Sequence, residues 1–424
     1  IRDQPRSRGL GDVYKRQAFI SIATGFLAGI YPAYYMTSFP PALVLKGSFG
    51  LSPKGRQLRN ALIGVQYVAS FGLIIGATFM YLQNYYMQNT PLGYDKDEII
   101  ITNMNNNIRK SRDAFASQVK SFSGIEEVTY AEMLLSSQDQ YMGWGRKYRD
   151  KDIQFQCLPV EPSFLKVMNV KISEGRDFRE EDKAKRYGTF VFNERARTEY
   201  GLEIGSLIDS MEIVGFMPDV KFASFRTEVT PMAFFVWGTN NWGNQPNYAY
   251  IKVKAGSDLR GAMQHVKTTL QSFDPEYPFN VRFFDEVLNG LYEKERSLSS
   301  LITLFSLIAI FISVVGVFGL VVFDSEYRKK EIGIRKVLGS TTEEIIVMFN
   351  KTYIRILCVC FVLGAPIAGY VVHRWLENFA YKTPMYWWVY LIAFAIIAVI
   401  TILTVTFQNW RAANENPVHS IKNE

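Results

Sequence analysis

The chain has 424 residues, a net charge of +7, three cysteines, 48% hydrophobic and 15% aromatic residues, which is more than one ordinary domain requires. Its positive charge sits mostly beside apolar runs, where it orients a membrane chain, so nucleic acid is not an expected partner. Cys157, Cys358 and Cys360, with the scattered His265, His373 and His419, form neither a disulfide framework nor a metal-ligand pattern.

Residues 1–17, IRDQPRSRGLGDVYKRQ, set Arg2, Arg6, Arg8, Lys15 and Arg16 against Asp3 and Asp12, so +3 of the +7 lies there. This leader lacks apolar periodicity and joins abruptly to an apolar run. It reads as translated vector or adapter sequence and is set aside from the fold. Residues 18–36 are a first predicted span, followed by a proline- and glycine-broken cytoplasmic linker at 37–57 with Lys46, Lys54 and Arg56. A second span covers 58–83 and ends beside Tyr85 and Tyr86, aromatics suited to a membrane interface. Each run is long enough to cross about 30 Å of hydrocarbon as a helix.

Residues 84–296 form a long polar block outside the membrane, read as α+β and large enough for its own core, with room for two lobes. Strands are expected at 98–102, 128–131, 153–158, 189–192, 212–216, 232–237, 248–253 and 281–283. Helices are expected at 111–122, 162–168, 194–200 and 259–273. The helical pattern of 285–296 is expected to continue unbroken into the next span, so that displacement passes along one helix between membrane and outer block.

Further spans are predicted at 297–323, 352–376 and 386–409, with a cytoplasmic tail at 410–424. The basic linker, the basic loop at 324–351 and the tail can all face the cytoplasm, leaving the polar block and the short 377–385 turn outside. The loop reads DSEYRKKEIGIRKVLGSTTEEIIVMFNK. Ile332, Ile334, Val337 and Leu338 alternate with charges as on an amphipathic helix, and Gly339 supplies a stop. Ser340 with Glu343 has the spacing of a capping box for a second helix. Two readings fit: a loop that only fixes topology, or a helix, stop and helix that docks on a cytosolic partner.

A short repeat links the termini. PALVLKGSF follows the first span and PVHSIKNE follows the last, and aligning Pro41 with Pro417 places Leu45 on Ile421 and Lys46 on Lys422. On that reading, 18–47 is the tail of a preceding unit, and the chain is a fragment of a longer protein.

No Gly-x-x-x-x-Gly-Lys-Ser/Thr, His-Glu-x-x-His or Gly-x-Ser-x-Gly motif occurs, so an enzyme is not expected. The central parts of the second, third and fifth spans carry no ionisable group, which argues against a proton-coupled carrier or an ion channel. Gly72, Gly76, Gly316 and Gly319 would permit close helix packing.

With these pieces in order, SLIAIFISVVGVFGLVVFDSEYRKKEIGIRKVLGSTTEEII resembles the span and loop signature of the FtsX/MacB-like ABC transporter permeases. RKKEIGIRKVLGST follows the family's Arg-x-x-Glu-Ile-Gly-Ile-Arg-Lys-x-x-Gly-Ala-Ser pattern, with Ser340 where alanine is common. EPSFLKVMNVKISEGRDF, TFVFNERARTEYGL and EIVGFMPDVKFASF in the outer block are similar to the MacB-type extracytoplasmic domain. The resemblance implies membrane helices plus a large α+β extracytoplasmic domain, in a multi-pass protein of the bacterial cytoplasmic membrane, embedded in its lipid bilayer. It also implies a separate cytosolic ABC ATPase that binds ATP and Mg, with no cofactor in this chain. A second permease unit is expected, either a tandem half or a homodimer mate, together with a periplasmic adaptor or a regulated enzyme. By that resemblance Tyr327, Arg328, Glu331, Ile332, Ile334, Arg335, Lys336, Leu338 and Gly339 couple to the ATPase. The expected function is mechanical coupling of ATP hydrolysis to export or extraction of a peptide, drug or lipoprotein. The alternative is FtsX-like signalling to a cell-wall hydrolase or sensor kinase without transport.

Overall fold

The computed structural model describes residues 14–26, 30, 53–135, 142–221, 225–239, 245–327, 334–335 and 338–413. The first predicted span is described only in part, as helix α1 over 14–26, and both ends of the proposed terminal repeat lie outside the described residues. The described residues fall into two compact units, one within 1–65, 316–352 and 404–424, the other within 66–315 and 353–403.

Helix α2 (Pro53–Asn89) leads into the polar block. There, the strands are β1 (Ile99–Asn103), β2 (Ile125–Ala131), β3 (Met142–Tyr148), β4 (Lys151–Val160), β5 (Glu174–Gly175), β6 (Thr189–Asn193), β7 (Leu207–Ile208), β8 (Met211–Met217), β9 (Met232–Val236), β10 (Tyr248–Val253) and β11 (Arg282–Phe283). The helices are α3 (Asn106–Lys110), α4 (Arg112–Lys120), α5 (Phe164–Val167), α6 (Glu194–Tyr200), α7 (Leu259–Phe273) and α8 (Phe284–Leu291). Then come α9 (Glu293–Tyr327), α10 (Thr342–Leu376) and α11 (Trp388–Ala413).

All eleven strands belong to one sheet, ordered β11-β1-β10-β2-β4-β9-β6-β8-β5, with β3 on β4 and β7 on β8. Its two halves meet at β2 and β4 through a single pair, Ala131 opposite Val160, and one core cluster joins Ile99 and Tyr250 of one half to Leu158, Val191 and Phe234 of the other. On one side of the β2–β4 seam, Phe115 and Val119 of α4 and Ala262, Val266 and Leu270 of α7 pack on Ile100, Val128 and Ile251. On the other, Trp144, Phe155, Phe190, Phe192 and Phe235 make an aromatic core, with Phe155 and Phe192 centroids 4.9 Å apart. The unit β6-α6-β8 is a parallel pair with its crossover helix. Asn193 starts that helix: its Oδ1 accepts the Ala196 N–H at 3.1 Å and the Met232 N–H at 3.0 Å, and its Nδ2 donates to the Thr230 carbonyl at 2.9 Å.

Among the described residues, four helices are long and apolar enough to cross a membrane: Asn60–Asn89, Glu295–Gly319, Thr342–Leu376 and Trp388–Arg411. The first has the largest buried share of its apolar window, 39% against 17% for the second. In the larger unit Phe71 meets Phe361 of α10 at 5.2 Å and Phe394 of α11 at 6.4 Å. Polar ties reinforce these contacts where no water competes: Ser70 with Ser313 at 2.8 Å and Tyr67 with Thr401 at 3.0 Å. Each is worth about 0.6 kcal/mol in a bilayer. Within the smaller unit Asn350 Nδ2 donates to Thr406 Oγ1 at 2.9 Å, tying α10 to α11.

Among the described residues, Gly72, Gly76 and Gly319 make no close helix contact, because a Cβ added at any of them meets no heavy atom within 4 Å. Close approaches fall instead in α10, at Gly364, whose added Cβ would sit 3.4 Å from the Val68 backbone, and at Gly369, whose added Cβ would meet the Tyr390 hydroxyl at 2.8 Å. Gly316 lies half-buried in α9. Nor does one helix run unbroken from the outer domain into the membrane, since α8 ends at Leu291 and α9 begins at Glu293. Tyr292 between them has φ −115 and ψ 15, outside the helical range.

Candidate coupling segment and outer-domain junction

The segment between α9 and α10 is described at Tyr327, which ends α9, at Ile334 and Arg335, and from Leu338 onward. Arg328, Glu331, Ile332 and Lys336 lie outside the described residues. Ile334 and Arg335 are helical, and the Leu338 N–H donates to the Ile334 carbonyl at 3.0 Å. The Ser340 N–H then reaches back to the Arg335 carbonyl at 2.9 Å across Gly339, whose φ is +98. That is a Schellman stop, and the left-handed backbone is why a glycine stands there. The cap of α10 falls one residue later than the spacing of Ser340 and Glu343 suggested. Thr341 Oγ1 accepts the Glu344 N–H at 3.2 Å, and Glu344 Oε2 accepts the Thr341 N–H at 3.1 Å. Two adjacent Ser/Thr-x-x-Glu registers exist here, and Gly339 with its Schellman bond selects the second.

Ile334 is 57% exposed and Leu338 is 80% exposed, four residues apart and therefore on one helix face. Arg335 beside them contacts the Met348 sulfur at 2.9 Å through its guanidinium. The segment thus presents an exposed apolar pair flanked by a cation.

A second constellation gathers at the foot of the outer domain, wholly within the larger unit. Near the outer end of α2, the fully buried Gln83 donates from Nε2 to the Tyr381 carbonyl at 3.0 Å and accepts the Thr383 N–H on Oε1 at 2.8 Å. The turn between α10 and α11 is thereby pinned to α2. Tyr381 in turn donates its N–H to the Phe225 carbonyl at 3.1 Å, and its hydroxyl accepts the Val229 N–H at 3.3 Å. The Phe225 N–H donates to the Tyr292 hydroxyl at 3.0 Å, which places the break between α8 and α9 in the same network.

Rings and charges close around these bonds. Phe225 stacks edge-on with Tyr86, Tyr292 and Tyr381, at centroid distances of 6.2, 6.1 and 5.9 Å. The Lys221 ammonium lies 4.7 Å from the Tyr381 ring and 5.1 Å from Phe225, and burial pulls its pKa below the usual lysine value. Arg226 lies 5.0 Å over Phe379 and pairs with Glu295, the buried residue that opens the apolar window of α9. One Glu295 oxygen has no hydrogen-bond partner among the described residues. A buried acid is costly unless paired, so removing Arg226 would leave the charge uncompensated.

Of the junction residues, sequence reasoning singled out Tyr86, as an interfacial aromatic, but not Gln83, Tyr292, Tyr381, Arg226 or Glu295. The available signal was slight: Gln83 begins a Gln-Asn pair directly following an apolar run, where an interfacial position explains it as readily as a buried one.

Among the described residues no cluster of three histidine, cysteine or carboxylate side chains is placed to hold a metal. The Cys157 thiol is fully buried, and burial pushes its pKa well above the ordinary value, which disfavours the thiolate.

Membrane-length helices, with one large mixed-sheet domain inserted between α2 and α9, define a multi-pass membrane protein with an extracytoplasmic domain. Two family models match this chain: "FtsX-like permease C-terminal" over residues 303–417 and "MacB-like periplasmic core domain" over residues 63–269. The chain belongs to the FtsX/MacB-like permeases. It is 23% identical over 230 residues to the macrolide export ATP-binding/permease protein MacB of Chromobacterium violaceum, covering 52% of this chain and 35% of that one. The protein of the same name from Escherichia coli is 23% identical over 233 residues with the same coverage. The chain therefore spans about a third of the length of these curated relatives. Among solved structures, the periplasmic region of MacB from Actinobacillus actinomycetemcomitans aligns with a TM-score of 0.36 and 14% identity, over 49% of this chain and 98% of that one.

Proposed function

We propose that this chain is the permease subunit of an ABC transporter, driven by a cytosolic ATPase on a separate polypeptide that binds ATP and Mg. The observation that carries this reading is the exposed pair Ile334 and Leu338, held on one face by a helix stop between two membrane helices. An apolar pair costs free energy in water and is stabilised only by a partner's groove. Ionisable groups are absent from the middle of α2, α9 and α11, which suits helices that move without conducting. Hydrolysis in the partner shifts the helices, the outer domain follows, and a peptide, drug or lipoprotein is exported or extracted. A second permease unit, a tandem half or another copy, completes the assembly, and a periplasmic adaptor or regulated enzyme works with the outer domain.

The test is co-purification with the cognate ATPase after Ile334→Asp or Arg335→Glu in correctly inserted chains. Burying a carboxylate where Ile334 docks costs at least about 2 kcal/mol, a thirtyfold loss of affinity. Undiminished complex formation by both variants overturns the assignment of this segment as the docking site.

A further inference from the structure

We propose that Gln83, Tyr381 and the Arg226–Glu295 pair form one joint that fixes the outer domain to the turn between α10 and α11, with Gln83 as its positioning residue. The inference rests on the reading above that the membrane helices move, and it adds the route by which that motion reaches the domain.

Gln83 is the only described residue that bonds the turn from α2, and it does so on both sides of Lys382. A fully buried amide that satisfies a donor and an acceptor of the same turn locks that backbone in place. The locked turn presents the Tyr381 N–H and hydroxyl to two points of the domain segment, the Phe225 carbonyl and the Val229 N–H. A segment held at two points four residues apart can neither slide nor pivot on one bond. The Phe225 N–H then bonds Tyr292, and Arg226 pairs with Glu295, so the same segment holds the start of α9. The outer ends of α2, α9 and the α10–α11 turn thus converge on residues 225–229.

The consequence is mechanical. With the helix broken at Tyr292, a push along α9 alone has a point at which to bend. The joint bypasses that break, because Tyr292 at the break and Glu295 beyond it in α9 both contact the domain segment directly. Displacement of α2, of α9 or of the α10–α11 turn is delivered to the outer domain as motion of one body.

The experiment uses the full chain with its ATPase in lipid nanodiscs and two variants. Gln83→Leu keeps the volume and removes both bonds to the turn, while Tyr381→Phe removes a single hydroxyl and guards against loss of folding. Without nucleotide, amide exchange is followed at Phe225, Val229, Tyr381 and Thr383. In Gln83→Leu all four amides exchange about tenfold faster or more, including the three that Gln83 does not touch. In Tyr381→Phe the Val229 amide leads and Phe225 follows. With ATP, the change in distance between spin labels at Ala255→Cys in the outer domain and Glu343→Cys at the start of α10 is largely lost in Gln83→Leu, while ATP hydrolysis persists. Faster exchange at Thr383 alone overturns the joint. Cooperative loosening with an undiminished ATP-driven distance change overturns its role in transmission. If the parent chain shows no ATP-driven change, the permease reading falls, and the amide pattern still decides whether the joint exists.

Discussion

At the scale of single residues, Asp177 sets a pH dependence whose sign follows from its surroundings. Burial raises its carboxyl pKa from the ordinary 3.8 to about 6, against the opposing pull of the Phe178 N–H and Arg176. A carboxyl whose pKa is higher folded than unfolded favours folding while protonated. Its contribution is full below pH 3.8 and is lost as pH rises toward 6. Asp177→Asn keeps an oxygen for the Phe178 N–H and cannot ionise. The variant should match the parent near pH 4 and exceed it by about 1 kcal/mol at pH 7.5, after allowance for partial exposure. Thermal unfolding of both proteins in detergent at the two pH values measures this, and a gain independent of pH contradicts it. Nothing in the local sequence DFREED announces this shift, because the burial that produces it comes from the fold. Gln83 was hidden for the same reason: its partners Tyr381 and Thr383 lie about three hundred positions along the chain.

Elements were legible where local signals and packing agree. Helices α6 and α7 fall at the predicted bounds, since each has its own cap, Asn193 for one and Asp258 for the other. Asn193 does more than cap, because the same side chain fixes the backbone beside β9. Asn193→Ala leaves the buried Ala196 and Met232 N–H groups unpaired and should cost about 2–4 kcal/mol. Asn193→Asp retains the acceptor and should cost about half as much. Urea unfolding of the detergent-solubilised chain separates these outcomes, and an alanine variant within about 0.5 kcal/mol of the parent refutes the dual role. Strand β3 escaped prediction because Gly143, Gly145, Arg146 and Lys147 break the apolar alternation. Its pairing is set by the hairpin at Arg149, whose φ is +43, and by the facing residues Cys157 to Lys151. The α8–α9 break was also unreadable, since tyrosine is no helix breaker. The structure shows the Tyr292 hydroxyl engaged by Phe225 at that point, a contact made by distant sequence.

For the whole molecule, sidedness follows from two independent lines. Helices α2 and α9 flank the outer domain, so helix order alone returns the α10–α11 turn to the domain's side of the membrane. The bonds from Tyr381 to Phe225 and Val229 require the same, because a turn on the opposite face could not reach them. Charge gives the other side: the loop with Arg328, Lys329, Lys330, Arg335 and Lys336 belongs in the cytoplasm. With Cys157, Cys358 and Cys360 replaced by alanine, a single Ala255→Cys should react with a membrane-impermeant maleimide in intact cells with the outer domain made accessible. Glu343→Cys, exposed at the start of α10, should react only after the membrane is permeabilised. Equal labelling of the two positions from one side would break the agreement between helix order, charge and the junction. It would also remove the cytosolic face on which Ile334 and Leu338 are proposed to meet an ATPase. Labelling from opposite sides keeps those exposed residues on the cytosolic face, as the proposed docking requires.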